Sequence, residues 1–411
     1  MIQVLKMAWR NVWRNWRRSG ITIAAMTLAL TVELLYSGLV TGLVGGMEED
    51  ATEFDLGDVQ VLPDGYRTRP SLYSVVEDHD AIIGKLREAG YSAAPRLYSG
   101  GLAASGDLSA GVAFVGLDPV ADTTTLALDE AIAEGAWLDG ADPTGVVVGG
   151  GLARTLGLDL GSEIVVLSQA SDGSIANALY TVRGKLLSVA ASMDRTAILM
   201  PEASFRELMA FPDGAHKIVV RRPEGVSLEE AKVAVAGMAG EGTENAPIDV
   251  MTWKEINPFL AMYLQQVDGV VVVVYFIVYL AVAILILNAM LMAVFERIKE
   301  FGVLKAIGYS PGQVFTMMAV EGLLQAVVAT VCGLVLAAPL MWYLSVHGVN
   351  VGVLGGVNMA GLTMPPVWHG DYSLDSAMVP VVMLFVIVLV AVTWPAAKAA
   401  WIRPVEAMTH Q

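Results

Sequence analysis

Residues 296–308, ERIKEFGVLKAIG, combine charged and apolar side chains at helical spacing and lie between two long apolar runs. A short amphipathic helix of this kind can dock into a groove of a partner protein. Gly308 suits the position after a helix end, and Pro311 would stop the helix before the next apolar run. The alternative interpretation is a basic loop that only fixes membrane topology.

Two carboxylates lie inside apolar runs, where a charge costs roughly 2.5–3.5 kcal/mol on insertion scales. Glu33 falls near the middle of the first run, so we expect it to face other helices, protonated or hydrogen bonded to Asn288 or Thr27. A mechanistic role for Glu33 stays open beside a structural one. Glu321 lies on the same helical face as Gln325, which favours a role in packing and hydrogen bonding.

Catalytic and metal-binding patterns do not occur in the sequence. The five histidines are scattered without ligand spacing, and no serine lies in a nucleophile motif. Cys332 is the only cysteine, so it forms no intrachain disulfide. Gly84-Lys85 and Gly184-Lys185 are each followed by leucine instead of the hydroxyl residue of a phosphate-binding loop. We therefore predict a non-enzymatic chain with no catalytic residue, no metal and no cofactor of its own.

Four apolar runs must position these side chains. The chain of 411 residues is 55% apolar and only 16% charged. A helix rises ~1.5 Å per residue, so each run can cross ~30 Å of hydrocarbon. We predict an α-helical membrane protein with transmembrane helices over 21–44, 267–294, 312–346 and 377–400. The third is longer than one span needs, so it tilts or continues beyond the membrane.

Acidic charge is concentrated between the first two runs. Residues 45–266 hold 33 Asp and Glu against 15 Lys and Arg, whereas the rest of the chain holds 8 against 10. Strand-like and helix-like segments alternate there, so we predict a large α+β domain inserted between transmembrane helices 1 and 2. Its acidity disfavours nucleic acid as a partner. The predicted strands are 58–62, 109–117, 145–148, 161–167, 180–189, 197–200 and 217–220, and the predicted helices are 78–89, 151–156, 203–209 and 228–239.

Lys and Arg are concentrated in residues 1–20 and 295–311, and the C-terminal part of the chain holds Lys398 and Arg403. Because basic segments stay inside, we expect both termini and the 295–311 segment in the cytoplasm, and 45–266 and 347–376 outside it. Trp9, Trp13 and Trp16 fall on one helical face, which predicts an interfacial amphipathic helix over 1–20. The first apolar run is longer than that of a usual signal peptide and no clear A-x-A site follows, which favours an uncleaved anchor.

These features together resemble the MacB/FtsX-like permeases of ABC transporters, most closely the lipoprotein-releasing permeases LolC and LolE, over essentially the whole chain. The resemblance rests on the basic N-terminal helix and on the inserted domain, which is similar to a MacB-type periplasmic core. Its sequence motifs are VVVGGGLARTLGLDLGSEIVV at 146–166, YTVRG at 180–184, ERIKEFGVLKAIGYSPGQV at 296–314, Glu321-Gly322 and RPVEA at 403–407.

The resemblance implies a location in the bacterial inner membrane and a separate cytoplasmic ABC ATPase dimer that binds ATP and Mg. It also implies a second permease, either another copy of this chain or a paralogue, and mechanotransmission from the ATPase along the helices to the outer domain. Residues 295–311 would be the coupling helix that seats in the ATPase. Carried over position by position, that role falls on Glu296, Arg297, Glu300, Gly302, Lys305, Ala306 and Gly308.

For a lipoprotein substrate, the resemblance implies that acyl chains enter from the outer leaflet, among membrane lipids, between the first two transmembrane helices of two protomers. Simple packing at a dimer interface is the alternative for the same side chains. The candidates for substrate contact are Leu39, Leu43, Met47, Phe259, Met262, Tyr263 and Val270.

Three functions remain open at this point. They are lipoprotein release from the inner membrane toward the outer membrane, MacB-like efflux of peptides or amphiphiles with an adaptor, and FtsX-like signalling to a wall hydrolase. The size of the inserted domain disfavours the third, and the lack of a fused ATPase domain disfavours a typical MacB.

Overall fold

The computed structural model describes residues 2–187, 191–240, 242–243, 246–350, 358–359, 362–363 and 367–402. The chain divides into two compact units. The first, here called the helical unit, comprises Met1–Gly45, Gln265–Val351 and Val367–Gln411. The second, the sheet unit, comprises Gly46–Leu264 and Gly352–Pro366.

Helices and strands follow the chain in this order. The helices are α1 Ile2–Arg14, α2 Trp16–Ala51 with a π-helical turn at Thr52–Leu56, α3 His79–Glu88, α4 Pro119–Thr125, α5 Gly150–Leu156, α6 Ala191–Thr196, α7 Glu202–Leu208, α8 Leu228–Ala239, α9 Trp253–Ile256, α10 Pro258–Glu296, α11 Ile298–Ala306, α12 Pro311–His347 and α13 Leu374–Trp401. The strands are β1 Val59–Pro63, β2 Ser92–Ser105, β3 Leu108–Leu117, β4 Ile132–Gly135, β5 Gly145–Gly149, β6 Glu163–Gln169, β7 Ile175–Leu186, β8 Ala197–Pro201, β9 Lys217–Arg221, β10 Gly242–Thr243, β11 Ala246–Thr252, β12 Val349–Asn350, β13 Asn358–Met359, β14 Leu362–Thr363 and β15 Val367–Trp368.

Four helices among the described residues are long and apolar enough to cross a membrane. They are Trp16–Leu56, Pro258–Glu296, Pro311–His347 and Ser376–Trp401. The first two extend well beyond the predicted spans 21–44 and 267–294, because helical backbone hydrogen bonding continues past the point where the side chains cease to be apolar. Most of the predicted tail, residues 403–411, lies outside the described residues.

The helix predicted over 1–20 ends earlier than expected, at Arg14, because the chain interrupts it at Asn15. The Asn15 carbonyl accepts hydrogen bonds from the amides of Arg18 and Ser19, at 3.1 Å each, and so starts a new helix. Asparagine is a favoured residue at such helix starts. Trp9 and Trp13 lie on α1 and stack edge to face with ring centroids 5.8 Å apart. Trp16 is the first residue of α2.

Small and hydroxyl residues hold α2 against α12. The Thr27 hydroxyl donates to the Ala329 carbonyl at 3.3 Å, and the Thr31 hydroxyl donates to the Gly333 carbonyl at 3.4 Å. A Cβ at Gly333 would lie 3.1 Å from the Leu30 side chain. Close approach of helix backbones through small residues is the usual way to pack helices in lipid.

A proline inside α13 creates a link to α2. Pro380 has no amide hydrogen, so the carbonyl of Ser376 loses its partner within the helix. The Ser37 hydroxyl of α2 donates to that carbonyl at 2.8 Å. The Tyr279 hydroxyl of α10 donates to the Pro380 carbonyl at 2.6 Å. The proline therefore joins three helices of the unit.

The sheet unit is built on one mixed 11-stranded sheet. Six strands close into a ring, because β6 pairs with both β2 and β7 while β2, β3, β8, β5 and β7 pair in sequence. The ring encloses buried side chains such as Phe114, Val148, Ile164 and Ile198. Beside the ring, β9, β1, β11 and β10 continue the sheet, and α3 and α8 contribute to a second core there.

The predicted helices and most predicted strands of this unit match observed elements within a few residues. The strand predicted at 180–189 begins earlier, at Ile175, and ends at Leu186, and residues 188–190 lie outside the described residues. The pattern misses β2, whose sequence SAAPRLYSGGLAAS lacks the alternating β-branched residues that indicate a strand. It also misses β4, β11 and α4.

Candidate functional site

The segment that sequence analysis singled out forms α11, a separate helix between α10 and α12. Its end has two hydrogen bonds, from the Gly308 amide to the Lys305 carbonyl and from the Tyr309 amide to the Leu304 carbonyl, at 3.1 and 3.0 Å. Gly308 has φ +103°, and this is the glycine-ended Schellman geometry. The prediction that Gly308 follows the end of the helix is therefore confirmed. Pro311 does not stop α11 but opens α12 behind the capping residue Ser310.

A buried ion pair fixes the start of α11. Arg297 is 6% exposed, and its Nη1 lies 3.2 Å from Oε2 of Glu321 on α12, which is fully buried. Arg297 Nε also donates to Glu300 at 2.8 Å, and the guanidinium lies 5.3 Å from the centre of the Phe301 ring. Removing one partner of such a pair leaves an uncompensated buried charge, which costs about 3–5 kcal/mol.

Two further ion pairs involve the N-terminal helices. Arg14 of α1 donates to Glu300 of α11 at 2.7 Å, and Arg18 of α2 donates to Glu296, the last residue of α10, at 2.6 Å. Burial raises the pKa of Glu300, but hydrogen bonds from Arg14 and Arg297 outweigh it, so the net pKa lies below the usual value. We call the six ion-paired residues around the start of α11 the Arg–Glu clasp. It consists of Arg14, Arg18, Arg297, Glu296, Glu300 and Glu321.

Lys305 connects α11 to the end of α13. Its ammonium group donates to the carbonyls of Ala400 and Ile402, the second at 2.7 Å. A cation is favourable there because the last carbonyls of a helix carry partial negative charge. Burial lowers the pKa of Lys305. The clasp and Lys305 together tie α11 to α1, α12 and α13, and they tie the end of α10 to α2.

The seven residues predicted to contact an ATPase therefore separate into three groups. Arg297, Gly302 and Lys305 lie against the helices of this chain, so they support α11 and offer little surface to a partner. Glu296 and Glu300 remain exposed but are already paired within the chain. Ala306 and Gly308 are exposed.

An outward face of α11 carries three side chains that the predicted site residues did not include. Val303 is 52% exposed and Ile307 is 70% exposed, and Lys299 is exposed beside them. The spacing 299, 303, 307 places the three on one side of a helix. That spacing is visible in the sequence and could have selected them. We call Lys299, Val303, Ala306 and Ile307 the outward face.

Glu33 and Glu321 have different surroundings. Glu33 is 1% exposed, and neither of its carboxyl oxygens has a hydrogen-bond partner among the described residues. The predicted hydrogen bond to Asn288 or Thr27 is wrong, since the Thr27 hydroxyl donates to Ala329 instead. Glu321 faces the helical bundle as predicted, but its ion-pair partner is Arg297, which was not predicted.

The candidates for substrate contact differ in exposure. Phe259, Met262 and Val270 expose more than half of their side chains. Leu39, Leu43 and Tyr263 are half-buried. Met47 is buried, so the expectation that it offers a surface is wrong. Among the residues that the structure describes, no group of His, Cys, Asp and Glu side chains has the arrangement of a metal site.

Long apolar helices, a large inserted sheet unit and a short helix fixed at one end of the bundle define a membrane permease. Residues 19–237 match the MacB-like periplasmic core domain, and residues 272–404 match the FtsX-like permease C-terminal family. The chain belongs to the MacB/FtsX-like family of ABC transporter permeases, as its motifs predict.

Individual relatives are distant. An ABC transporter permease of Methanocaldococcus jannaschii is 27% identical over 50% of this chain and 51% of its own. The lipoprotein-releasing system transmembrane protein LolC of Xylella fastidiosa is 22% identical over 65% of each chain. The periplasmic region of MacB from Actinobacillus actinomycetemcomitans is 14% identical, with a TM-score of 0.37 over 54% of this chain and 97% of that one. The chain thus spans about half to two thirds of the curated relatives' length.

The buried ion pair generates a stability prediction. Arg297→Met should destabilise the protein by about 3–5 kcal/mol, because Glu321 is left buried without a cation. Adding Glu321→Met should recover most of that loss, since the double variant buries no charge. Thermal unfolding in detergent measures both. Lys299→Met, an exposed change two residues away, is the control. Equal unfolding temperatures for the single and double variants would contradict the assignment.

Proposed function

We propose that this chain is the permease subunit through which a separate ATPase drives lipoprotein release from the inner membrane toward the outer membrane. The coupling role is supported by one observation: α11 is fixed to the helices of this chain while its outward face is exposed. The distant similarity to LolC supports lipoproteins as the substrate class. The match to a MacB-like core domain keeps efflux as the second candidate.

The clasp explains how force applied to α11 would spread through the helical unit. A push on the outward face would reach α12 through the Arg297–Glu321 pair and α1 through the Arg14–Glu300 pair, while the Arg18–Glu296 pair joins α2 to the end of α10 that precedes α11. It would reach α13 through Lys305. The helices α2 and α10 have 36 and 39 residues, and each contains residues of both units.

Docking on the outward face is testable by substitution. The double variant Val303→Glu, Ile307→Glu places two charges on an apolar contact. Substitutions at central interface positions weaken the binding free energy by about 2 kcal/mol or more, which is roughly a 30-fold loss of affinity. ATPase co-purified with the permease should fall accordingly, while the unfolding temperature of the permease stays unchanged. The control is Val120→Glu, at an exposed valine on α4 of the sheet unit. Full ATPase retention by the double variant would show that α11 does not dock there.

Glu300→Lys is a less specific test of the same contact. Glu300 pairs with Arg14 and Arg297, so reversing its charge breaks the clasp before it affects any partner.

Orientation is part of the proposal. The basic segments, and the exposed tryptophans of the N-terminal helices, support a cytoplasmic location for α11 and an extracytoplasmic location for the sheet unit. In a Cys332→Ala background, Asp172→Cys should react with an impermeant maleimide in cells with a permeabilised outer membrane, whereas Arg10→Cys, exposed on α1 and outside the outward face, should react only after lysis. The reverse pattern would overturn the orientation.

Substrate class is tested on the purified complex. Mass spectrometry of the permease with its ATPase, isolated from native membranes, should identify bound lipoproteins, and ATP with Mg should reduce their amount. A variant ATPase that cannot hydrolyse ATP serves as the control. Recovery of an adaptor or a wall hydrolase without any lipoprotein would replace lipoprotein release by efflux or signalling.

A further inference from the structure

The sheet unit contains an open cleft of about 320 Å³ beside β1, the loop that follows it and the end of α9. Its walls are largely apolar or aromatic, and they come from four parts of the unit. They include Leu62 of β1, Tyr66 and Pro70 of the following loop, Tyr98 of β2 and Ile256 of α9. A cleft of this size and composition is in the range that takes a small apolar ligand.

The charged groups of the cleft are both cations. Arg67 and Lys217 belong to its lining, and no Asp or Glu does. This is unusual for residues 45–266, where acids outnumber bases 33 to 15. Two positive charges in an otherwise acidic unit make this a local site of attraction for an anion.

The two cations are also available to a ligand. Lys217 Nζ lies 4.5 Å from the centre of the Tyr98 ring, which holds the ammonium group at the cleft wall. Arg67 is exposed. Neither cation takes part in an ion pair among the residues that the structure describes. Elsewhere in the unit, Lys185, Arg221 and Lys232 each form a salt bridge with a nearby Asp or Glu.

We propose that this cleft binds a single-chain amphiphile with a carboxylate head group. The acyl chain lies against Leu62, Pro70 and Ile256, where its burial removes apolar surface from water. The carboxylate meets Arg67, whose planar guanidinium matches a carboxylate in two parallel hydrogen bonds, and Lys217 adds a second positive charge. This site is additional to the proposed function and does not depend on which substrate the transporter moves.

Photolabelling of the full chain in phosphatidylcholine nanodiscs tests the proposal. The probe is a long-chain fatty acid with a diazirine near the end of its chain, and peptide mass spectrometry locates the adducts. Adducts should appear in peptides containing residues 60–70 and 98. Laurate should compete with the probe, whereas dodecylamine, with the same chain and the opposite charge, should not.

Variants separate binding in the cleft from partition into the bilayer. Arg67→Glu with Lys217→Glu should lower labelling of these peptides at least fivefold, and Lys85→Glu, an exposed cation on α3, should leave it unchanged. Ile256→Trp, which fills the cleft and keeps both cations, should also lower it. Labelling confined to the membrane-spanning peptides, equal labelling of the double variant, or equal competition by dodecylamine would overturn the proposal. Stronger competition by dodecyl phosphate than by laurate would overturn the carboxylate assignment.

Discussion

The buried ion pair between Arg297 and Glu321 is the constraint on which the arrangement of α11 depends. A lone charge at either position would carry a large desolvation cost, so the two side chains must stay together. This requirement places the start of α11 against α12. The Arg14–Glu300 pair then extends the same network to α1, and the separate Arg18–Glu296 pair joins α2 to the end of α10; such exposed pairs contribute little energy individually.

The two sides of α11 have different roles in the helical unit. Inward residues such as Phe301 and Lys305 bind α11 to its own bundle, while Val303 and Ile307 remain uncovered. A helix that receives force from a partner protein must be held firmly by its own bundle. It must also leave an apolar surface exposed for the partner. In the sequence motif of α11, inward and outward residues alternate. Several of its charged side chains therefore contact this chain and not a partner.

Local signals made much of this fold predictable. Long apolar runs predict α2, α10, α12 and α13, and Gly308 predicts the end of α11. The Arg297–Glu321 pair could not be predicted, because it joins residues 24 positions apart on different helices. Likewise β2 is a strand because it pairs with β3, β6 and β9, although its Ala, Gly and Ser residues have weak strand preference. Inward and outward residues of α11 are distinguished only by the neighbours that cover it.

The central claim is that α11 moves with the helices that hold it. Spin labels at residues 10 on α1 and 298 on α11, outside the outward face and the clasp, would report this by pulsed electron resonance, with labelled chains diluted in unlabelled ones. In the complex with ATPase, we expect the same distance distribution without nucleotide and with ATP trapped, and a broader one in Arg297→Met. A nucleotide-dependent shift of that distance in the unmodified clasp would contradict the account.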